Sequence, residues 1–319
     1  MRCRKTRCPD REPGSRSHDS DRETRSLDIG FIVINAIVIA CIYGLIAVAV
    51  SITWSSLGLL NLGYGFIFSF AGYGAYVASK MLSDYPVVVV AAGVLTGAVG
   101  GILICLLVFI PLHEKPNFTV RGMVGTLAIS LIGSQGLLWW FGPRSKSLPE
   151  IFGYWQVSIG GTVLTSDKIG VVVCSILMLV FVVRWMRSSR RGLEIRAMMM
   201  NPHAASLVGI GIRRTGFYVM GITGAMAGLA AVLLSQTYYI APFSGITPLI
   251  KGVSIALLGG LGSVQGAVIA AVILGFAEAL TSRFLGGQYV LITQFLVIIT
   301  ILIVRPRGIA GILDKAREQ

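Results

Sequence analysis

Apolar residues run in long blocks along this chain, at roughly 29–54, 57–79, 86–110, 122–141, 168–186, 217–236, 250–281 and 288–304. A helix needs ~20 consecutive apolar residues to cross the hydrocarbon core of a bilayer. Each block therefore predicts a spanning helix, and the eight together predict an all-α polytopic membrane protein. Two blocks are interrupted by glycine. One carries Gly58-Leu-Leu-Asn61-Leu-Gly63-Tyr-Gly65, the other Gly259-Gly260-Leu261-Gly262-Ser263-Val264-Gln265-Gly266. Glycine breaks in corresponding places of two halves point to discontinuous helices along a substrate path. Close helix packing through small residues predicts the same glycines without any path. On the first reading the lining candidates are Asn61, Gly63, Tyr64, Gly65, Gly259, Gly260, Gly262 and Ser263.

Polar sequence is confined to a few places. Residues 1–28 carry eight Lys/Arg against six Asp/Glu, with Ser, Pro and Gly between them. Such a tail has too little apolar surface to form a core and is expected to be disordered. Residues 142–166 form the longest external-looking loop, with Pro143, Pro149 and Trp155. Trp139 and Trp140 before it suit an interface belt. In the second half the polar island is Arg187–Gly216, where Arg187, Arg190, Arg191, Arg196, Arg213 and Arg214 face Glu194 alone. Short loops this rich in Arg stay on the cytoplasmic side. Within it, Asn201-Pro202 reads as an N-cap followed by proline at the first helical position. Ala204, Leu207 and Val208 then fall on one stripe, and Gly209 stands where a left-handed stop belongs.

Composition agrees with a membrane protein: 55% hydrophobic and 13% charged residues, with a mean hydropathy of +0.79. The net charge of +13 is no sign of nucleic-acid binding, because the basic residues sit in the N-tail, the central loop and the C-terminus. Cys41, Cys105 and Cys174 lie in apolar blocks, where a buried free thiol is usual. Cys3 and Cys8 have no nearby His pair for zinc. His18, His113 and His203 are all outside the predicted spans, so neither a metal cluster nor a hydrolytic triad within the membrane can be assembled from them. No G-x-x-x-x-G-K-[ST] motif occurs. Val38-Ile39-Ala40-Cys41 looks like a lipoprotein box, but the apolar run continues through Trp54, and a cleaved leader is not expected.

Counting blocks raises a conflict. Five lie between the N-tail and the Arg-rich loop and three follow it, so two odd counts put both basic termini outside, against the charge rule. If each glycine-broken block is two short elements, about ten helical pieces result and all the basic regions face the cytoplasm.

The chain resembles the permeases of branched-chain amino-acid ABC importers, on the H-type rather than the M-type side. His203-Ala204-Ala205-Ser206-Leu207-Val208-Gly209 is similar to the E-A-A-x-x-x-G coupling loop of ABC-importer permeases, with His203 where that pattern has an acid. Further stretches carry the resemblance: Gly44-Leu-Ile-Ala47 leading to Asn61–Gly65 and Gly74-Ala75-Tyr76, then Ile195-Arg196-Ala197 through Asn201-Pro202 to Ile210. The last is Leu258–Ser263 with Gly266-Ala267, Gly275–Ala279 and Arg305-Pro306-Arg307-Gly308. H-type permeases usually carry His where Tyr64 stands, and often Ala where Gly63 stands, which leaves the substrate open between branched-chain amino acids and urea or short amides. The resemblance implies a permease domain over 29–304, a coupling loop at 187–216 and a cytoplasmic tail at 305–319. Arg196, Ala197, Asn201, Pro202, Ala204, Ala205, Leu207 and Gly209 are its implied ATPase-coupling residues. It further implies a bacterial inner-membrane location and a second permease subunit in a heterodimer. Two separate ATPase subunits would use ATP and Mg, and a periplasmic binding protein would deliver substrate. This chain would hold no cofactor and catalyse no reaction.

Glu278 is the acid that lies well inside a predicted span. An ionised acid there costs about 2.5–3.5 kcal/mol on insertion scales, so it is expected to meet a substrate ammonium or a partner subunit, or else to sit solvated at an interface. Asn61 is expected to face the interior, since a buried amide needs partners, and Lys251 and Arg283 to snorkel to the interfaces. An ion-coupled secondary transporter is the competing reading. It calls for paired acids or histidines in the spans, and Glu278 alone is a poor relay.

Overall fold

The computed structural model describes residues 16–81, 85–148, 153, 156–159, 162–305 and 308–310. The long helices are α1 (Arg16–Leu57), α2 (Tyr64–Met81) and α3 (Pro86–Ile104), which runs through a π-helical turn (Cys105–Phe109) into the short α4 (Ile110–Leu112). They continue as α5 (Phe118–Phe141), α6 (Ser166–Ser188), α7 (Arg190–Met200), α8 (Pro202–Leu207), α9 (Ile212–Leu234), α10 (Ile246–Gly259), α11 (Val264–Phe284) and α12 (Val290–Val304). Among the described residues, seven helices are long and apolar enough to cross a membrane, and α2 and the shorter α10 run among them. The all-α polytopic expectation holds for the body of the chain. Outside it stands one small hairpin, β1 (Gln156–Ile159) antiparallel to β2 (Thr162–Thr165). Its signal was present in the alternation of Gln156 to Thr165 about a Gly-Gly pair, the composition of a tight hairpin turn.

Two-thirds of the apolar windows of α1 and α9 are buried, against 17–22% for α5, α6 and α12. Helices α1 and α9 are therefore the centre and the other three the rim. Glycine sets the closest contact in the core. Gly93, Gly97 and Gly101 on α3 meet Gly228, Gly224 and Met220 on α9, and a Cβ on Gly97 would stand 2.5 Å from the Gly224 carbonyl oxygen. With no side chains between them, the two backbones touch. Helix α11 lies against α1 in the same way, with Gly275 on Ala36 and Ala40 and Gly44 on Ala271.

These contacts also fix direction. Asn35, near the start of the apolar part of α1, accepts a hydrogen bond from Lys168 at the start of α6 (2.9 Å). Ser55, near the end of α1, lies beside Gly262. The Arg-rich loop follows α6, so it lies on the face where α1 ends. The backbone of Ile309 and Ala310 bonds Leu258 and Gly259 (2.9 and 3.1 Å) on that same face.

The count of pieces is corrected accordingly. The break at Gly259–Gly266 does split block 250–281 into α10 and α11. The Gly58–Gly65 stretch is the joint between α1 and α2 and adds no piece. Five crossings thus separate the start of α1 from the loop, and that start lies on the opposite face. Of the 1–28 tail, residues 1–15 lie outside the described residues, while 16–28 continue α1 as helix. Extending an existing helix adds a hydrogen bond per residue without a new nucleus. Of the 305–319 tail, residues 306–307 and 311–319 are outside the described residues.

Candidate functional site

The α1–α2 joint is a packed hinge. Asn61, 1% exposed, accepts from the Gly63 amide through Oδ1 (2.9 Å) and donates through Nδ2 to the Met220 sulfur of α9 (3.6 Å). The Leu62 amide donates to Thr126 of α5 (3.1 Å). Tyr64 is buried, its hydroxyl bonded to those of Thr53 (2.5 Å) and, through Thr53, to Thr223 of α9 (3.4 Å). A side chain on Gly63 would run into Ile104, and Gly65 lies directly against Gly245 at the start of α10. Asn61 faces the interior as its amide requires.

The α10–α11 break is equally tight. Gly260 and Gly262 have φ of +93° and +100°, conformations open to glycine and strained for other residues. Ser263 caps α11 by accepting from the Gly266 amide (3.0 Å). A Cβ on Gly259 would stand 2.5 Å from the Ala267 nitrogen. Both glycine stretches are thus used for packing within this chain.

Glu278 has a partner that the sequence reading missed. Lys251 of α10 donates to its Oε1 at 2.6 Å, with side-chain exposures of 6% and 14%. Lys251 also donates to the Tyr43 hydroxyl (3.1 Å) and lies 4.7 Å from the centre of that ring. Lys251 therefore does not snorkel, whereas Arg283 is exposed. Helix α10 begins at Ile246, so Lys251 lies inside it rather than at its mouth. An acid buried within a span calls for a base buried beside it, and that pairing rule was the available signal.

Two cavities lie on the face opposite the loop, and Lys251 borders one of them. One, of about 270 Å³, is lined by Lys251, Tyr43, Phe68, Leu234, Ser244 and Pro248 among others. The second, of about 280 Å³, reaches Lys168, Ala279, Ser282 and Arg283. Tyr43, Leu234 and Tyr238 line both. None of the glycine-stretch candidates, Asn61 to Gly65 and Gly259 to Ser263, lines either one.

On the other face, the loop is built as its sequence spells out. The Asn201 side chain accepts from the Ala204 amide (3.1 Å), with Pro202 opening α8. Gly209 has φ +87°, and the Ile210 and Gly209 amides return to the Ala205 and Ser206 carbonyls (both 3.1 Å). This pair of bonds is a glycine C-terminal stop. Ile195 and Met198 of α7 are buried against the central helices. Arg196, Asn201 and Ala204 are exposed, Ala197 and Pro202 half-buried. Met200, Leu207 and Val208 are 78%, 87% and 78% exposed. Ala205 departs from its set: it is buried and faces the permease body, because the face of α8 opposite Leu207 must pack inward. The side chain of His203 is outside the described residues. Nearby, Arg191 pairs with Glu194 (2.9 Å) and Arg213 with Glu114 (2.6 Å). His113 stacks on Phe109 at 5.2 Å. Burial pushes its imidazole below the usual 6.5, Arg213 adding to this and Glu114 opposing it.

Comparison with known proteins bears on both faces. Residues 32–304 match the family described as branched-chain amino acid transport system / permease component. The chain is 31% identical over 292 residues to LivH of Escherichia coli K12, a high-affinity branched-chain amino acid transport system permease protein, covering 87% of this chain and 94% of that one. It is 26% identical over 292 residues to the corresponding BraD of Pseudomonas aeruginosa, covering 88% and 94%. Among solved structures, PsaBC from Streptococcus pneumoniae in complex with Fab shares the fold, with a TM-score of 0.53 at 11% identity over 93% of this chain and 99% of that one. These relatives align with 87–93% of this chain and the family match takes in every spanning helix and the capped helix of the arginine-rich loop; the chain belongs to the branched-chain amino acid transport permease family.

Proposed function

We propose that this chain is the membrane-spanning subunit of an ATP-driven importer for branched-chain amino acids, working with a second permease subunit, two ATPase subunits and a substrate-binding protein. The observation that carries it is α8. About a six-residue helix capped at both ends, Met200 before it, Leu207 at its end and Val208 after it are open to solvent, and Arg196, Arg213 and Arg214 of the same loop are exposed as well. An apolar centre with a polar rim is the anatomy of a protein docking site. Because α7 is seated on α1 and α9 through Ile195 and Met198, a push on α8 reaches the two central helices. The binding protein docks on the opposite face, where the cavities lie, and ATP and Mg act in the partner subunits.

The ion-coupled alternative needs an acid free to load and release a cation. Glu278 is already paired with Lys251, which weighs against it. The test is uptake into proteoliposomes. Leucine accumulation is expected to require ATP, the ATPase subunits and the binding protein together. Accumulation by this chain alone, driven by a proton gradient, would reverse the assignment.

A further inference from the structure

We infer that the Lys251–Glu278 pair is the intramembrane receptor for the two charges of the substrate, with Lys251 taking the α-carboxylate and Glu278 the α-ammonium of a zwitterionic amino acid. The inference rests on the importer reading and adds the site and its selectivity.

The argument begins with what the pair costs. Two buried charges at 2.6 Å are tolerated while each faces the other. Removing either partner strands the other in a medium of low dielectric, the strongly unfavourable case. A fold that needed only to join α10 to α11 would do as well with two apolar residues. Here the lysine end of the pair is set beside open space instead. Lys251 lines the cavity of about 270 Å³, and Glu278 lies one hydrogen bond behind it. That volume is of the order of one small ligand.

The chemistry of the walls narrows the ligand. Phe68, Leu234 and Pro248 give the Lys251 cavity an apolar side, suited to a branched aliphatic side chain. A zwitterion entering there offers a negative group to Lys251 and a positive group to Glu278. The pair can open with neither charge left alone. A simple amine or a simple carboxylate would compensate one member only, and a neutral amide neither. Tyr43 steadies the exchange, because its hydroxyl and ring both hold the lysine ammonium and it lines both cavities. The site thus demands a free ammonium and a free carboxylate on one small, apolar molecule.

The experiment uses the assembled transporter in proteoliposomes with radiolabelled leucine. ATP-driven uptake by the wild type is the condition for the test; its absence would sink the importer reading rather than the site. The double variant Lys251→Glu with Glu278→Lys keeps an ion pair, and is expected to assemble with its partner subunits. Its leucine uptake is expected to fall at least about 30-fold, the weakest loss typical of a broken buried charge contact. A zwitterion seated on reversed charges turns its side chain away from the apolar wall. Wild-type uptake by that variant would show that the pair only holds helices together. Should the double variant not assemble, Ser244→Cys with the native pair and the five other cysteines replaced by alanine decides. Leucine is expected to slow maleimide labelling of Cys at 244 several-fold, while isocaproate and isoamylamine are not. Labelling unaffected by leucine would overturn the inference.

Discussion

The hydroxyls of Tyr64 and Thr53 meet at 2.5 Å, tying the first residue of α2 to the last turns of α1. Tyr64 stands where related permeases usually carry histidine, and that made it a candidate for substrate choice. Its burial against Ala49, Thr53 and Thr223 makes it a strut of the α1–α2 joint. Tyr64→Phe is expected to cost about 1 kcal/mol, the net worth of a typical hydrogen bond, since Thr53 keeps its bond to the Ala49 carbonyl (2.9 Å). Thermal unfolding of the purified complex should show a small drop, and a panel of amino-acid substrates should show no change in preference. A changed preference would place Tyr64 on the path.

The exposed face of α8 makes a second prediction. Leu207→Asp with Val208→Asp should weaken ATPase docking about 30-fold or more, since hot-spot residues contribute 2 kcal/mol or more. Membrane insertion should be unchanged. Ala205→Trp acts differently, because Ala205 is buried. Overpacking there costs about 1–3 kcal/mol and should loosen the α7–α8 seat itself, visible as faster proteolysis of the loop even without ATPase subunits. Gly209→Leu meets no neighbour within 4 Å; its effect is the strain of φ +87°, roughly 1–2 kcal/mol.

The two glycine stretches should answer substitution unequally. A Cβ on Gly259 meets the backbone nitrogen of Ala267, and one on Gly308 meets the backbone of Gly260 at 2.6 Å. Backbone cannot step aside, so Gly259→Ala and Gly308→Ala are expected to abolish assembly. A Cβ on Gly63 meets the end of the Ile104 side chain and Asn61 Oδ1 (2.8 Å), which can rotate. Gly63→Ala should therefore assemble, with reduced stability. Co-purification of the partner subunits ranks the three.

His113 gives a pH dependence. Its native pKa lies below the unfolded value near 6.5, so the native state favours the neutral ring. The unfolded chain then binds more protons on acidification. This contribution to stability is complete above pH 6.5 and is lost as the pH falls below it. Melting temperatures at pH 7.5 and 5.5 should differ more for the wild type than for His113→Phe. Equal differences would remove His113 from the account.

Much of the fold was legible because hydrocarbon imposes one rule on every span. Block 168–186 became Ser166–Ser188, and block 288–304 became Val290–Val304. Capping is local chemistry, so Asn201 and Gly209 were legible too. What escaped is tertiary. The partner of Glu278 lies 27 residues away on a separate helix, beyond a break whose geometry decides whether Lys251 faces lipid or core. Which face of α8 packs inward is likewise set by α7 beside it, so Ala205 could not be told from Ala204. The orientation of α1 escaped because the charge rule weighed the N-tail and loop alike, while helix count alone settles their sides.

The central claim is that ATP drives this permease through the α8 docking face. The most direct measurement is leucine uptake and ATP hydrolysis, in parallel, by proteoliposomes carrying the full complex with native α8 or with Leu207→Asp and Val208→Asp. The account predicts ATP-dependent uptake by the native complex and a loss of both uptake and stimulated hydrolysis in the variant, with this chain still inserted. Undiminished, ATP-dependent uptake by the variant would contradict it.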